Sequence, residues 1–112
     1  MVPKRLKEAR EAAGLSQERL AQLVDIDTVN SRSRISNYES GRFTPPFNFI
    51  QRVAKVLDYP EGYFYTSDDD FAEIILMTYR NRENPAFNPY FQTLVEIKEQ
   101  VEKLHERLKS IG

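Results

Sequence analysis

Apolar residues recur every three or four positions along most of the chain, which is the period of an amphipathic α-helix. No segment shows the strict alternation typical of a strand, so the pattern predicts an all-α fold. Glycine, proline and capping residues separate the helices. The predicted helices span residues 3–13, 17–24, 31–40, 47–57 and 61–65, then a sixth to about residue 80, and a C-terminal segment over residues 87–111.

Capping residues and inward-facing apolar residues can be assigned in the second, fourth and sixth helices. Ser16 is placed to cap the second helix, and Ser67 or Asp68 to cap the sixth. The second helix is expected to turn Leu20, Leu23 and Val24 inward. The apolar positions of the fourth helix are Phe47, Ile50, Val53, Ala54 and Leu57.

The third helix differs from the others because its exposed face is polar and carries no carboxylate. At 100° per residue, Ile35 and Tyr38 fall on one side. The opposite side, an arc of roughly 140°, holds Arg32, Ser33, Ser36, Asn37 and Ser40. Arginine can bind guanine through two hydrogen bonds, asparagine can bind adenine in the same way, and the DNA major groove admits one helix. This face therefore indicates base readout.

Composition and charge narrow the class of protein. The 112 residues suffice for one compact domain plus an appendage, and their formal net charge is -1. Residues 1–55 hold 10 Lys and Arg against 6 Asp and Glu, and residues 56–112 hold 6 against 11, which gives +4 and -5. The basic half is the candidate surface for a polyanion. There is no cysteine and no apolar run of membrane-spanning or signal-peptide type, so a cytoplasmic location is expected.

Four blocks of sequence, in order, resemble one family. They are Arg5-Leu-Lys-Glu-Ala-Arg-Glu-Ala-Ala-Gly-Leu-Ser-Gln-Glu-Arg-Leu-Ala, Arg34-Ile-Ser-Asn-Tyr-Glu-Ser-Gly-Arg, Pro45 and Val53-Ala-Lys-Val-Leu. They are similar to the lambda-repressor-like helix-turn-helix family of prokaryotic and phage regulators, the Cro/repressor or xenobiotic-response-element type. The resemblance implies a five-helix DNA-binding domain over residues 1–66, followed by a C-terminal helical dimerisation region over residues 67–112.

The resemblance also implies roles for individual residues. Arg10 and Glu39 match a structural salt bridge between the first and third helices. Gln17, Arg34, Arg42 and the backbone around Thr44 match contacts to the DNA backbone. The alternative is that Gln17 only begins a helix and that the two arginines are solvated charges. The base-reading positions are Arg32, Ser33, Ser36 and Asn37.

The turn before the third helix departs from the family pattern. Ile35 lies nine positions after Ile26, where the family usually has a step of five, and Asp25 replaces a common glycine. The insertion lies in Asp27-Thr-Val-Asn-Ser, so Asn30 and Ser31 are candidates for a helix cap or for further DNA contacts. Pro46 stands where the family tends to place a capping Ser or Asp.

The C-terminal segment carries an unbroken coiled-coil pattern. Apolar residues alternate at steps of three and four from Phe87 through Tyr90 to Ile111, the a/d seam of a coiled coil. The alternative is that this helix folds back and the seam becomes internal core. The positions expected to form a homodimer interface are Leu94, Ile97, Val101, Leu104, Leu108 and Ile111.

These features predict a transcriptional regulator, most simply a repressor, that binds a palindromic operator in double-stranded DNA as a homodimer. The alternative is an antitoxin-like or adapter protein whose C-terminal helices bind another protein. An enzyme is not expected, because His105 lies on a heptad flank and Asp68-Asp69-Asp70 is most simply a helix cap rather than a metal site. No cofactor and no metal are expected.

Overall fold

The computed structural model describes residues 1–24, 31–87 and 90–111. No strand occurs in these ranges and most of their residues are helical, so the predicted all-α fold is confirmed. The first three helices each end one residue earlier than predicted. The elements are α1 (Pro3–Ala12), α2 (Gln17–Leu23), α3 (Ser31–Glu39), α4 (Phe47–Leu57), α5 (Glu61–Tyr65), α6 (Asp69–Arg80) and α7 (Phe91–Ile111).

Two side chains cap helix starts as the sequence predicts. The Ser16 hydroxyl accepts a hydrogen bond of 3.0 Å from the backbone N–H of Arg19 at the start of α2. The Asp68 carboxylate accepts one of 2.8 Å from the backbone N–H of Phe71 at the start of α6. Each bond satisfies an N–H group that has no partner within its helix. Of the two candidates for the α6 cap, Asp68 is the one that acts.

The chain divides into two units, Met1–Met77 and Thr78–Gly112, and the division falls within α6. The family resemblance placed the boundary between residues 66 and 67, which is before α6 begins. The first turns of α6 belong to the first unit, because Ala72 and Leu76 are buried in its core. Of the insertion before α3, residues 27–30, including the cap candidate Asn30, lie outside the described residues, whereas Ser31 is the first residue of α3.

The core of the first unit explains how α3 is held. Helix α3 packs against α1 and α2, while α5 packs against α1 and α4. Burial of each large apolar side chain contributes roughly 1.5–3 kcal/mol to stability. The side chains that are fully buried at the centre are Leu6, Leu20, Val24, Ile35, Ile50, Val53 and Phe64.

Two predicted core positions are wrong. Leu23 is 39% exposed and Phe47 is 53% exposed. Helix α2 has seven residues and turns Leu20 and Ala21 inward, which leaves Leu23 off the buried face. In α4 the inward aromatic is Phe49, which is 2% exposed and packs with its ring centroid 5.0 Å from that of Tyr38.

A buried arginine ties α1 to the segment that leads into α6. Arg5 donates hydrogen bonds to the carbonyl oxygens of Thr66 and Ser67 at 3.1 and 3.2 Å, and its guanidinium lies 2.8 Å from the Asp69 carboxylate. Burial alone would lower the pKa of Arg5, but hydrogen bonds to Asp69 and Glu8 outweigh it and raise the pKa. Sequence periodicity gave no sign of this role.

Gly41 lies just after the end of α3, in a backbone conformation that favours glycine. Its φ is 79°, and a Cβ atom built there would lie 3.1 Å from Cγ of Pro3 in α1. Gly14 also has a positive φ, of 70°, but a Cβ atom added to it would have no neighbour within 4 Å. Gly62 in α5 likewise has open space at its Cβ position.

Gly41→Ala is expected to lower the free energy of unfolding by roughly 1–2 kcal/mol from backbone strain, with a further cost from the Pro3 contact. Gly14→Ala should lower the free energy of unfolding by the backbone strain alone. Gly62→Ala should leave it unchanged or raise it slightly. Urea unfolding of the three variants gives the comparison. Equal stabilities for Gly41→Ala and Gly62→Ala would contradict the strained turn.

The second unit consists of the end of α6, a turn segment and α7. The Arg82 guanidinium lies 4.2 Å from the centroid of the Tyr79 ring, just beyond the end of α6. Phe87 and Tyr90 precede α7, so the helical part of the seam is shorter than the sequence indicated. Helix α7 has 21 residues, which is three heptads.

Candidate nucleic-acid interface

Ser33 and Asn37 lie one helical turn apart on α3, between two open clefts. The Arg32 cleft is formed by α2, α3 and the following loop. The Arg34 cleft lies on the other side of Ser33 and Asn37. It is formed by α3 and the loop that follows α3. The Arg32 cleft is lined by Gln17, Arg32, Ser33, Ser36, Asn37 and Arg42, and the Arg34 cleft by Ser33, Arg34, Asn37, Tyr38, Phe43 and Thr44.

The structure brings all the predicted DNA-contact residues to these two clefts. The four base-reading positions are lining residues of the Arg32 cleft, and two of them also line the Arg34 cleft. Gln17 and Arg42 border the first cleft, while Arg34 and Thr44 border the second. Residues that are far apart in sequence, such as Gln17 and Arg42, therefore share one surface. Whether each touches a base or a phosphate remains a prediction.

The predicted salt bridge is present and nearly buried. The Arg10 guanidinium donates to both carboxylate oxygens of Glu39, at 2.7 and 3.0 Å, so the pair is bidentate. The Arg10 and Glu39 side chains are 10% and 5% exposed. A further bond of 2.7 Å runs from Arg10 to the carbonyl of Leu15. The hydrogen bond with Glu39 raises the pKa of Arg10, so the guanidinium stays charged.

Glu39 also positions Gln17. The side-chain amide nitrogen of Gln17 donates to the Glu39 carboxylate at 3.1 Å. A glutamine NH₂ group carries two hydrogens, so one bond to Glu39 leaves a second N–H for another acceptor. The buried ion pair thus fixes a side chain at the rim of the Arg32 cleft.

The loop after α3 is locked to the end of that helix. The carbonyl oxygen of Asn37 accepts hydrogen bonds from the backbone N–H of Arg42 at 2.9 Å and of Phe43 at 3.3 Å. The Ser40 hydroxyl donates to the same oxygen at 3.1 Å. The backbone at Arg42 and Phe43 therefore keeps a fixed position relative to Asn37.

Arginine lines both clefts, whereas the acid Glu18 lines a neighbouring cleft with Gln17 and Arg32. Arg32, Arg34 and Arg42 are exposed, and neither the Arg32 cleft nor the Arg34 cleft has an acidic lining residue. Clustered arginine raises the local potential although the chain carries a formal net charge of -1. A polyanion therefore meets a favourable face.

Sequence reasoning missed Phe43 as part of this surface. Its side chain is 56% exposed and lines the Arg34 cleft beside Tyr38. Helical periodicity could not assign it to either the core or the surface, because Phe43 lies in the loop after α3.

The predicted dimer positions form an exposed stripe along α7. The six side chains are between 51% and 83% exposed, and at 1.5 Å per residue the helix is about 31 Å long. Contiguous exposed apolar surface of this kind is uncommon on a monomer. The stripe consists of Leu94, Ile97, Val101, Leu104, Leu108 and Ile111.

None of the described helices is long and apolar enough to cross a membrane. Within the described ranges, no group of three or more His, Asp or Glu side chains is arranged to hold a metal ion.

Comparison with known proteins agrees with this geometry. Residues 4–70 match a family model described as a helix-turn-helix domain. The solved structure titled "Crystal structure of transcriptional regulator BswR" is 34% identical, covers 86% of this chain and 93% of its own, and superposes with a TM-score of 0.73. A search of curated proteins finds no match. The chain belongs to the lambda-repressor-like helix-turn-helix family.

The likeness to BswR extends past the helix-turn-helix domain. Residues 1–70 are less than two thirds of the 112-residue chain, so coverage of 86% includes part of the C-terminal segment.

Proposed function

We propose that this protein is a sequence-specific DNA-binding transcriptional regulator, and that it represses transcription by occupying a palindromic operator as a homodimer. The observation that carries the proposal is the convergence of the predicted contact residues on two adjacent clefts that lack acidic lining residues. The family match and the similarity to BswR, a transcriptional regulator by title, support the same class.

Base readout is assigned to the exposed side of α3. Asn37 carries an amide that can pair with adenine through two hydrogen bonds, and Arg32 can do the same with guanine. Ser33 and Ser36 have short side chains, which allow the helix to approach the base edges closely. Both serines are exposed, so no packing role competes with this assignment.

Contacts to the DNA backbone are assigned to the rims of the clefts. Arg34 and Arg42 are exposed cations that line the Arg34 cleft and the Arg32 cleft respectively, and Gln17 is oriented by Glu39. The backbone at Thr44 is the remaining predicted contact. Phosphate contacts set the register of the protein on the duplex and carry no sequence information themselves.

Homodimerisation is assigned to the apolar stripe on α7. One helix-turn-helix module reads only a few base pairs, and two modules are usually held on half-sites about one turn of DNA apart. Pairing of two copies along the stripe would bury six large apolar side chains that a single chain leaves exposed. A palindromic operator is the sequence counterpart of such a two-fold dimer.

Asn37→Ala is expected to weaken binding to the cognate duplex by about 1–3 kcal/mol and to relax the preference at one base pair. Arg34→Ala is the matched control, because loss of a phosphate contact should weaken binding to all sequences alike and lower the salt slope by about one. Titrations of both variants on the cognate duplex and its single-base variants give the comparison. A uniform loss for Asn37→Ala would mean that Asn37 contacts only the DNA backbone.

The second candidate is a protein-binding role for the C-terminal helices, as in antitoxin-like or adapter proteins. The exposed stripe on α7 favours this possibility, since another protein can cover the same side chains. A purified chain that is monomeric but forms a stable complex with a different protein through α7 would support it.

A further inference from the structure

Phe43 is a large aromatic side chain in a position that core packing does not explain. It is 56% exposed and lines the Arg34 cleft together with Ser33 and Asn37, two proposed base-reading residues. Covering an exposed aromatic ring with an apolar group of a partner is favourable, and this ring lies on the proposed DNA-contact surface. The ring is therefore a candidate contact for whatever occupies this cleft.

The position of Phe43 relative to α3 is set by the backbone. Its N–H donates to the carbonyl of Asn37 at 3.3 Å, beside the bond of 2.9 Å from Arg42. The guanidinium of the neighbouring residue, Arg42, lies 5.8 Å from the centroid of the Phe43 ring. When α3 enters a groove, Phe43 enters next to Asn37 and on the side of Arg34.

The chemistry of the cleft limits the partner. Arg34 is the charged lining residue, and the remaining polar groups are those of Ser33, Asn37, Tyr38 and Thr44. A partner that suits this cleft has negative charge for Arg34, hydrogen-bonding groups for Ser33 and Asn37, and an apolar group for the Phe43 ring. In the major groove, the apolar group that a base edge presents is the C5-methyl of thymine, which phenylalanine can contact.

We propose that Phe43 contacts the C5-methyl group of a thymine and makes the protein prefer thymine at that position. The thymine lies next to the base pair that Asn37 reads. This inference rests on the proposed DNA-binding function and adds a specificity-determining residue to it. It differs from a phosphate contact because it depends on a single methyl group.

The test removes that methyl group from the DNA and the ring from the protein. The cognate half-site, obtained by selection from random DNA, is synthesised with each thymine replaced in turn by 2′-deoxyuridine, which differs only in lacking the methyl. Binding is measured for the wild-type protein and for Phe43→Ala. Phe47→Ala is the matched control, since Phe47 is 53% exposed on the same unit but lines neither cleft.

At one thymine per half-site, the wild-type protein should bind the uracil duplex about fourfold more weakly, which is the effect of burying one methyl group. Phe43→Ala should bind thymine and uracil duplexes equally at that position, while Phe47→Ala should behave as wild type. Thermal unfolding checks that both variants are folded. Little loss of stability is expected, because both side chains are exposed.

Three outcomes would overturn the proposal. The first is that no thymine shows a uracil effect that depends on Phe43. The second is that Phe43→Ala loses affinity equally on all duplexes, which would indicate contact with the sugar-phosphate backbone. The third is that the coupled thymine lies far from the base pair that responds to Asn37→Ala. If the wild-type protein selects no DNA at all, the proposed function itself fails.

Discussion

Glu39→Ala is expected to lower the free energy of unfolding of the first unit by about 3–5 kcal/mol. The carboxylate of Glu39 is 5% exposed and is the bidentate partner of Arg10. Its removal leaves a buried guanidinium with a bond to Leu15 but without its main counter-charge. Small domains are stable by roughly 5–15 kcal/mol, so the loss is a large share of the total.

Urea unfolding, followed by circular dichroism, measures this change. The matched control is Glu11→Ala, because the Glu11 carboxylate lies 3.8 Å from Arg10 but is 58% exposed. An exposed pair of this kind contributes less than about 1 kcal/mol. Equal destabilisation by the two substitutions would contradict a buried, structural role for Glu39.

The same pair links stability to DNA binding through Gln17. In the double variant Arg10→Met with Glu39→Leu, two apolar side chains replace the ion pair, and much of the stability should return. Gln17 has nonetheless lost the carboxylate that orients its amide. The double variant should therefore fold but bind DNA more weakly than the wild-type protein.

Replacing Val101 and Leu104 by glutamine is expected to convert a dimer into a monomer. The two side chains are 60% and 57% exposed in the single chain and lie at the middle of the α7 stripe. Each apolar side chain buried between two helices contributes roughly 1.5–3 kcal/mol, and the dimer buries two copies of each. Two glutamines per chain remove most of that gain.

Light scattering gives the mass. The wild-type protein should show twice the chain mass of 13.1 kDa, and the variant should show 13.1 kDa. The control places glutamine at Glu102 and Lys103 on the opposite face of α7, which also leaves the net charge unchanged. A wild-type monomer at micromolar concentration would contradict the dimer, and so would equal dissociation in the control.

Loss of the dimer should also reduce DNA affinity. Two linked modules bind an operator about 10²–10⁴-fold more tightly than one module alone. The glutamine variant should therefore bind the full site with this loss but retain its preference for the half-site sequence. Retention of preference separates dimerisation from readout.

Sequence periodicity located the helices well because local spacing and capping residues determine where a helix begins and ends. Ser16 and Asp68 are placed as caps by their position alone, and both act as caps in the structure. Periodicity does not reveal which neighbour covers a side chain. Leu23 and Phe47 follow the apolar pattern but are exposed, because the packing of α2 and α4 turns other residues inward.

The candidate site was predictable as a set of residues but not as a geometry. The family pattern identified Gln17, Arg10 and Glu39 individually. It did not show that Glu39 binds both of the others, since that depends on how α1, α2 and α3 meet. Phe43 was missed because a loop has no period from which to infer exposure. Arg5 was missed because its partners, Thr66 and Ser67, lie about 60 residues away.

Selection of bound DNA from a random pool, with the wild-type protein, tests the central claim most directly. Two copies that read DNA through α3 should enrich one short motif and its inverted repeat, with centres about 10–10.5 base pairs apart or a multiple of that spacing. Asn37→Ala should select a pool that is degenerate at one position of the motif. Enrichment of no motif, or of the same motif by the wild-type protein and by Asn37→Ala, would contradict readout by this helix.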